Sequence, residues 1–317
     1  MLNPIVSALA DVAVGLETSF ERLSVVPLLR RHPAAASSCI TLDEALARGD
    51  FEVTEVSEAG QVPELRVINT GTSPVLLLDG EELVGAKQNR IVNLTVLVPA
   101  RAKVPIPVSC VEAGRWNRRS RGFSSSGNAQ YSRARARKVS QVTQSLASSG
   151  EARSDQHWIW DDIAAKASRL SADSDTSAMS NIFEAHHRAV RGYVNAFPCI
   201  AGQCGAVFLE EGIPVGLDLF ESDAMFRTLF PKLLRSYGLD ALDTNDVRAP
   251  QHLGLLDPRD AARAFVGRVA NAAATHASVF PTVGLGETMR VEEGRMAAAA
   301  LLLDARVVHL AAFELGV

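Results

Sequence analysis

Between Asp79 and Arg90 the chain reads DGEELVGAKQNR, the densest polar cluster in the sequence. Seven of these twelve residues ionise or form side-chain hydrogen bonds: Asp79, Glu81, Glu82, Lys87, Gln88, Asn89 and Arg90. Carboxylates this close together are candidates for acid–base work. Lys87, Gln88, Asn89 and Arg90 together offer many N–H donors, which suits an anionic or amide-bearing ligand such as a phosphate or a nucleotide. Apolar runs at 76–78 and 91–98 flank the cluster. A rigid scaffold on both sides can fix side chains that solvent would otherwise randomise. The plainer alternative is a solvated hairpin end, which polar residues also make.

A second stretch, PVSCVEAGRW, spans residues 107–116. Period-two alternation puts Val104, Ile106, Val108, Cys110 and Glu112 on one strand face. Cys110 then lies among core residues and behaves as a small apolar group. Sequence proximity offers it only Arg115 as an activating cation. Glu112, at the strand end, is the better functional carboxylate, and it completes a candidate catalytic set of Glu81, Glu82 and Glu112. Arg115 and Trp116 join Asp79, Lys87, Gln88, Asn89 and Arg90 as candidate ligand-binding residues. In this arrangement Lys87, Arg90 and Arg115 meet phosphate, Gln88 and Asn89 meet ribose or base, and Trp116 stacks.

Residues 115–138 hold eight basic side chains and no acidic one, so the net charge of −4 leaves −12 for the remainder. Trp116, Phe123 and Tyr131 are interleaved, a pattern that can wrap a phosphate-bearing ligand. The same charges could instead face the acidic remainder, within one chain or across an oligomer. A pI near 6.0 argues against a dedicated nucleic-acid binder. Glu184 and His187 have Glu-x-x-His spacing, but a single copy lacks the second half of a di-metal site. Cys199 and Cys204 have no matching pair, so no metal is expected. No dinucleotide fingerprint, P-loop or G-x-S-x-G elbow is found, and no cofactor is indicated. His309 alternates with Val307, Ala311 and Phe313 as a core histidine would.

The elements that must position these residues follow from periodicity. Ile5, Leu9, Val12 and Leu16 predict a helix over 4–17. Thr41, with Glu44 three residues on, predicts a capped helix over 41–50. Three segments, 74–89, 206–220 and 299–313, predict hairpins bending at Asp79-Gly80, Glu211-Gly212 and Asp304-Ala305. Residues 91–98 and 103–112 predict a strand pair, with Pro105 and Pro107 marking an edge. Residues 117–155, rich in Ser, Arg and Gly, read as a long loop or connector. Helices are predicted at 155–170, 179–196, 222–237 and 258–275, and strands through 287–313. Strands and helices come in blocks, which predicts an α+β fold with mixed or mainly antiparallel sheets. We expect one unit over 1–317, a β-rich N-terminal half packed with an α+β C-terminal half. Four cysteines fit a reducing compartment, and no stretch reaches the roughly 18 apolar residues of a membrane helix, so a cytoplasmic protein without membrane contact is expected.

TLDEAL (41–46), the run from LLLDGEELVGAKQNR to PVSCVEAGRW (76–116), RARK (135–138) and VGLDLF (215–220) together resemble one family. It is the ARPP domain family, named for its association with ADP-ribosylglycohydrolases and rhodanese-phosphatases. The resemblance covers about residues 25 to 315. Its hallmark strings fall on Asp79 to Arg90, on Ser109, Cys110 and Glu112, and on Arg115 and Trp116. It implies work near NAD- or ADP-ribose-derived metabolites, by association rather than by mechanism. The combined expectation is binding or processing of a small phosphorylated, anionic ligand of that kind. A hydrolase using Glu81, Glu82 or Glu112 is one rival. A non-catalytic module that assembles with copies of itself or with a partner is the other.

Overall fold

The computed structural model describes residues 3–32, 39–57, 63–117, 120–244 and 257–316. The chain divides into two compact units. The first comprises residues 1–37, 188–281 and 286–317, and the second comprises residues 38–187 with 282–285. The expected division into N- and C-terminal halves is therefore replaced by a discontinuous one, because strands from both ends of the chain pair in one sheet. The fold is α+β, and among the described strands only one pairing, Ile40–Thr41 with Val75–Leu76, is parallel.

The first unit opens with α1 (Pro4–Ala10), β1 (Val12–Val14), β2 (Thr18–Phe20) and β3 (Leu23–Arg30). The helix expected over 4–17 stops at Ala10. Asp11 caps it, and Val12 to Val14 pair with Leu28 to Arg30 instead.

The second unit follows with β4 (Ile40–Thr41), α2 (Leu42–Arg48), β5 (Phe51–Glu55), β6 (Glu64–Asn69), β7 (Val75–Leu77), β8 (Glu81–Gly85) and β9 (Arg90–Val92). It continues with β10 (Val96–Val98), β11 (Ala102–Cys110), β12 (Phe123–Ala129), α3 (Ser132–Ser149), α4 (Gln156–Arg169) and α5 (Met179–Ala185). Thr41 and Glu44 form the expected capping box. The chain returns to the first unit through α6 (His187–Ala196), β13 (Gln203–Glu210), β14 (Ile213–Phe220), α7 (Asp223–Leu242), α8 (Pro258–His276), β15 (Ala277–Pro281), β16 (Glu287–Glu293), β17 (Met296–Leu303) and β18 (Arg306–Glu314).

In the first unit these strands form a nine-stranded antiparallel sheet. The hairpins expected at 206–220 and 299–313 form here, with Glu211, Gly212, Asp304 and Ala305 in left-handed turns. Leu209, Leu217, Phe265, Val269 and Leu310 are part of its core.

The second unit is built on a closed barrel in the order β11-β6-β5-β12-β8-β9. Closure removes the exposed edges of an open sheet. Buried Val53, Leu65, Val67, Ile106 and Val108 face inward, and the alternating Glu52, Glu64, Arg66 and Lys103 face water. The hairpin expected at 74–89 does not form. β7 pairs with β4 and β10, whereas β8 pairs with β9 and β12. β11 is not an edge strand, yet Pro105 and Pro107 sit where it has β6 alone beside it. It meets β9 only from Val108 onward, so neither proline costs a ladder bond.

The stretch 117–155, expected as a loop, contains β12 and α3. Its basic residues explain the misreading. Arg135 and Lys138 are fully buried in α3, where they look like surface charge in the sequence. Lys138 bonds to the Asp79 carboxylate and to Val92 O (2.7 Å), and Arg135 Nε lies 3.7 Å from Asp79. Asp79 therefore pins the β7–β8 turn to α3. Removing one partner of a buried ion pair leaves an uncompensated charge, so Asp79→Ala should destabilise the fold by about 3–5 kcal/mol in chemical denaturation. A loss under about 1 kcal/mol would contradict this structural role.

Candidate functional site

The outer face of the barrel at β8 and β12 carries a polar cleft. In the register, Glu82 pairs with Ile91, and Ser109 pairs with the same residue, so Glu82 lies on the face opposite Leu83, Arg90 and Cys110. Val84, two residues on, shares that face and lines the cleft. β12 reaches the cleft through a bulge. Its register advances from Ser125 opposite Leu83 to Ala129 opposite Glu81, so the partner moves two residues while β12 moves four. Gly127 turns the bulge at φ +75°, and the Ser125 and Ser126 hydroxyls accept from the Gly127 and Asn128 amides at 3.1 Å. Bulges of this kind re-aim side chains beside binding sites.

α5 forms another wall. Met179 N donates to Val111 O at 2.9 Å, and Glu112 bridges Ala178, so the helix start is tied to the end of β11. The helix expected over 179–196 breaks at His186, whose Nε2 lies 2.8 Å from Leu170 O. Ser180, Asn181 and Glu184 of α5 line the cleft with Asn89, Arg115, Ser120, Ser124, Ser126 and Asn128, around a volume of about 540 Å³.

The floor of this site is an ion pair. Arg115 Nε donates to Glu112 Oε1 at 2.8 Å, and Arg115 Nη2 donates to Oε2 at 2.6 Å. The guanidinium also donates to Ala86 O (2.8 Å), Asn117 O (3.0 Å), Gly85 O (3.2 Å) and Asn89 Oδ1 (3.1 Å). Asn89 N donates to Glu112 Oε2 at 3.0 Å, and Asn89 Nδ2 donates to Ser180 Oγ at 3.2 Å. The loop from Gly85 to Asn89 is thus wrapped around one guanidinium. Gly85, at φ +138°, is required there, because a Cβ would meet Gly122 O at 2.5 Å. Burial pulls the Glu112 carboxyl up, yet the bonds from Arg115 and the Asn89 amide outweigh it and hold the group below the usual carboxylate value.

Glu82 is in the opposite condition. It is 0% exposed, and neither carboxyl oxygen has a hydrogen-bond partner among the described residues. Ser126, Asn128 and the Ser180 amide are near enough to moderate its acidity without reaching bonding geometry. Burial, reinforced by the like charge of Glu112, pushes it up to about 7.

The other sequence candidates fall in different places. Gln88 Nε2 donates to Glu112 O at 2.9 Å, and Gln88 Oε1 accepts from Arg90 at 3.1 Å. Arg90 is fully buried within the barrel, opposite Leu83 and Cys110 in the register and attracted by Glu55. It is closed to solvent and so to a phosphate. Cys110 is buried beside it, and burial pushes its thiol up, which disfavours a nucleophilic thiolate. Glu81 accepts from Leu78 N at 2.9 Å, and Asp79 binds α3; neither lines the cleft. Lys87 lies over the ring of Trp116, 5.3 Å from its centroid, and Trp116 is 48% exposed. The sequence reading missed Ser120, Ser124, Ser126, Asn128, Ser180 and Asn181, and it considered Glu184 only as a metal ligand. Short polar residues carry no periodic signal, and only the bulge and the helix break bring them together.

The barrel and its hydroxyl- and amide-lined cleft, carried in one chain with a nine-stranded antiparallel sheet, define a two-unit α+β protein with a polar pocket above a buried carboxyl. The chain belongs to the ARPP-1 family, the ARG and Rhodanese-Phosphatase-superfamily-associated Protein domain, whose model matches residues 11–313. No curated protein and no solved structure matches it. No helix among the described residues is long and apolar enough to cross a membrane.

The acidity of Glu82 sets a pH dependence. Its ordinary value is 4.5 and its folded value is about 7, so the folded state holds the proton more tightly. Keeping Glu82 costs nothing below pH 4.5, and the cost grows as pH rises through about 7. At about 1.4 kcal/mol per unit the full cost is about 3 kcal/mol. Glu112, itself paired with Arg115, is the charged group that bears on it, and the neighbouring Ser126, Asn128 and Ser180 are neutral. Glu82→Gln should therefore be more stable than the parent at pH 8, with the advantage gone near pH 4.5. Urea denaturation at both values measures this, and an equal difference at both would refute it.

Proposed function

We propose that the cleft between β8, β12 and α5 binds a small phosphorylated metabolite of the NAD- or ADP-ribose-derived class, with its ribose in the cleft. One observation carries this reading. Four serines and three asparagines converge on a volume of about 540 Å³, a density of donors and acceptors suited to a polyhydroxylated ring. The family name, which associates the domain with ARG and rhodanese-phosphatase proteins, is compatible with it.

Arg115 takes a different role from the one its sequence position suggests. Its donors are committed to Glu112, Asn89 and loop carbonyls, so it shapes the cleft and leaves phosphate to another cation. Lys87 and Trp116 follow the lining residues Gly85 and Arg115 by two and one positions, and Lys87 lies over the Trp116 ring. Lys87 offers a compact positive charge for phosphate, and the exposed Trp116 ring offers a face for a base. A charge-assisted contact contributes roughly 1.5–3 kcal/mol, and two or three with ribose hydrogen bonds reach micromolar affinity, about −8 kcal/mol. Four of the eight basic residues in 115–138, namely Arg115, Arg133, Arg135 and Lys138, are buried. That leaves less exposed charge for self-assembly and favours the small-ligand reading.

Calorimetric titration with ADP-ribose, AMP, ribose 5-phosphate and inorganic phosphate tests the proposal. ADP-ribose should bind most tightly. Asn128→Ala and Lys87→Ala should each weaken it by about tenfold, the equivalent of 1.4 kcal/mol. No heat with any of the four, or parental affinity in the double variant, would remove the reading.

A further inference from the structure

Ser180, Asn181 and Glu184 of α5 line the cleft. Glu184 lies four positions beyond Ser180 and three beyond Asn181, so one face of the helix presents all of them. Only two of the lining residues are charged, Arg115 and Glu184. Every N–H of the Arg115 guanidinium is committed to Glu112, to Asn89 or to a loop carbonyl, and Glu112 cancels its charge. Glu184 is exposed, and among the described residues no ion pair engages it. Arg188, four residues on, would meet it along a continuous helix, but the break at His186 leaves the two in separate helices, α5 and α6. Nor does α5 gain from Glu184, because a carboxylate in the last turn meets the negative end of a helix. The charge serves neither the fold nor a neighbour, and it is the uncompensated charge of the cleft lining. Beside it, the Asn181 side-chain amide makes no hydrogen bond among the described residues, and it offers both N–H donors and a C=O acceptor.

We propose that the cleft selects a ribose whose anomeric carbon bears a cationic nitrogen ring, the oxidised nicotinamide group, and that Glu184 is the residue that sets this preference. The inference rests on the ribose-binding reading above and specifies the group attached to the sugar. A pyridinium carries its positive charge on the nitrogen bonded to the anomeric carbon. A carboxylate on the wall of a cleft that holds the sugar therefore meets that charge at short range. The carboxamide arm of the ring has the same donors and acceptor as the Asn181 side chain, so the two amides can exchange N–H···O=C bonds. The hydroxyls and amides of β12 are left for the ribose. The reduced ring keeps the carboxamide and the sugar but is neutral, and it forfeits only the attraction to Glu184. The anionic character expected of the ligand from the sequence is thus reversed at its sugar end, and phosphate stays with Lys87.

Calorimetric titration of the full chain with oxidised and reduced nicotinamide adenine dinucleotide tests this inference. The two probes share the adenine, both phosphates and both riboses, so contacts with those groups cancel in the ratio of affinities. An ion pair open to solvent is worth up to about fivefold, and exclusion of water by the ligand raises it, so the oxidised form should bind about five- to tenfold more tightly at low salt. The ratio should narrow at about 0.5 M salt, where the screening length is about 4 Å. Glu184→Gln keeps the size and removes the charge, so the ratio should fall to about one while affinity for the reduced form changes less than about threefold. Glu184→Asp keeps the charge on a shorter arm and should retain part of the preference, which a role in packing alone would not do. Glu184 is exposed, so neither substitution should lower the melting temperature. If ADP-ribose binds but the two dinucleotides bind equally, or if Glu184→Gln keeps the parental ratio, the specificity inference falls and the ribose-binding reading stands. If neither the dinucleotides nor ADP-ribose bind, both fall.

Discussion

The contact between Glu112 and Arg115 organises the second unit's polar face. It lies just beyond β11, where the barrel strand gives way to the segment that leads into β12 and to which the start of α5 is bonded. One guanidinium holds the Gly85–Asn89 loop by its carbonyls, the strand end by its carboxylate, and Asn89 by its amide oxygen. Through Asn89 the same network reaches Ser180. A buried pair of this kind adds little net stability, because desolvation offsets most of the Coulombic gain. Its value lies in geometry, since a saturated, fully bonded guanidinium has one orientation only. It also leaves a negative charge near Glu82, and this adds to the burial that keeps the second carboxyl protonated. Position and acidity in the cleft therefore share one origin.

Much of the scaffold was legible in the sequence. The capping box at Thr41 and Glu44, the hairpins at 206–220 and 299–313, and the long helices near 156–169 and 258–276 all follow from local patterns. Patterns failed where long-range pairing decided the outcome. β7 and β8 flank a plausible Asp-Gly bend, yet barrel closure gives β8 better partners in β9 and β12, and β7 turns away to β10. The 117–155 stretch failed for another reason: Arg133, Arg135 and Lys138 are buried in α3, and Asp79, far off in sequence, binds Lys138.

The candidate site shows the same division. The acidic string from Asp79 to Glu82 and the pair Glu112 and Arg115 were conspicuous by type, but type could not assign roles. Alternation puts Glu81 and Glu82 on opposite faces of β8, one bonded to a main-chain amide and the other buried without a hydrogen-bond partner among the described residues. Arg90 and Arg115 looked equivalent; one is enclosed in the barrel near Glu55 and the other is bonded on all sides. The serines and asparagines were invisible because nothing in FSSSGNA announces a bulge, and the break between α5 and α6 is fixed by His186 bonding to Leu170.

The bulge in β12 has a consequence for how this family could diversify. Its three bulge residues, Ser126 to Asn128, lie outside the register of the ladder, and pairing resumes at Ala129 in step with Glu81. Exchange or lengthening of that short excursion would change the cleft wall and leave strand registration untouched. The lining of the cleft and the endurance of the scaffold are therefore separable traits in this architecture, open to independent drift along neighbouring stretches of one strand.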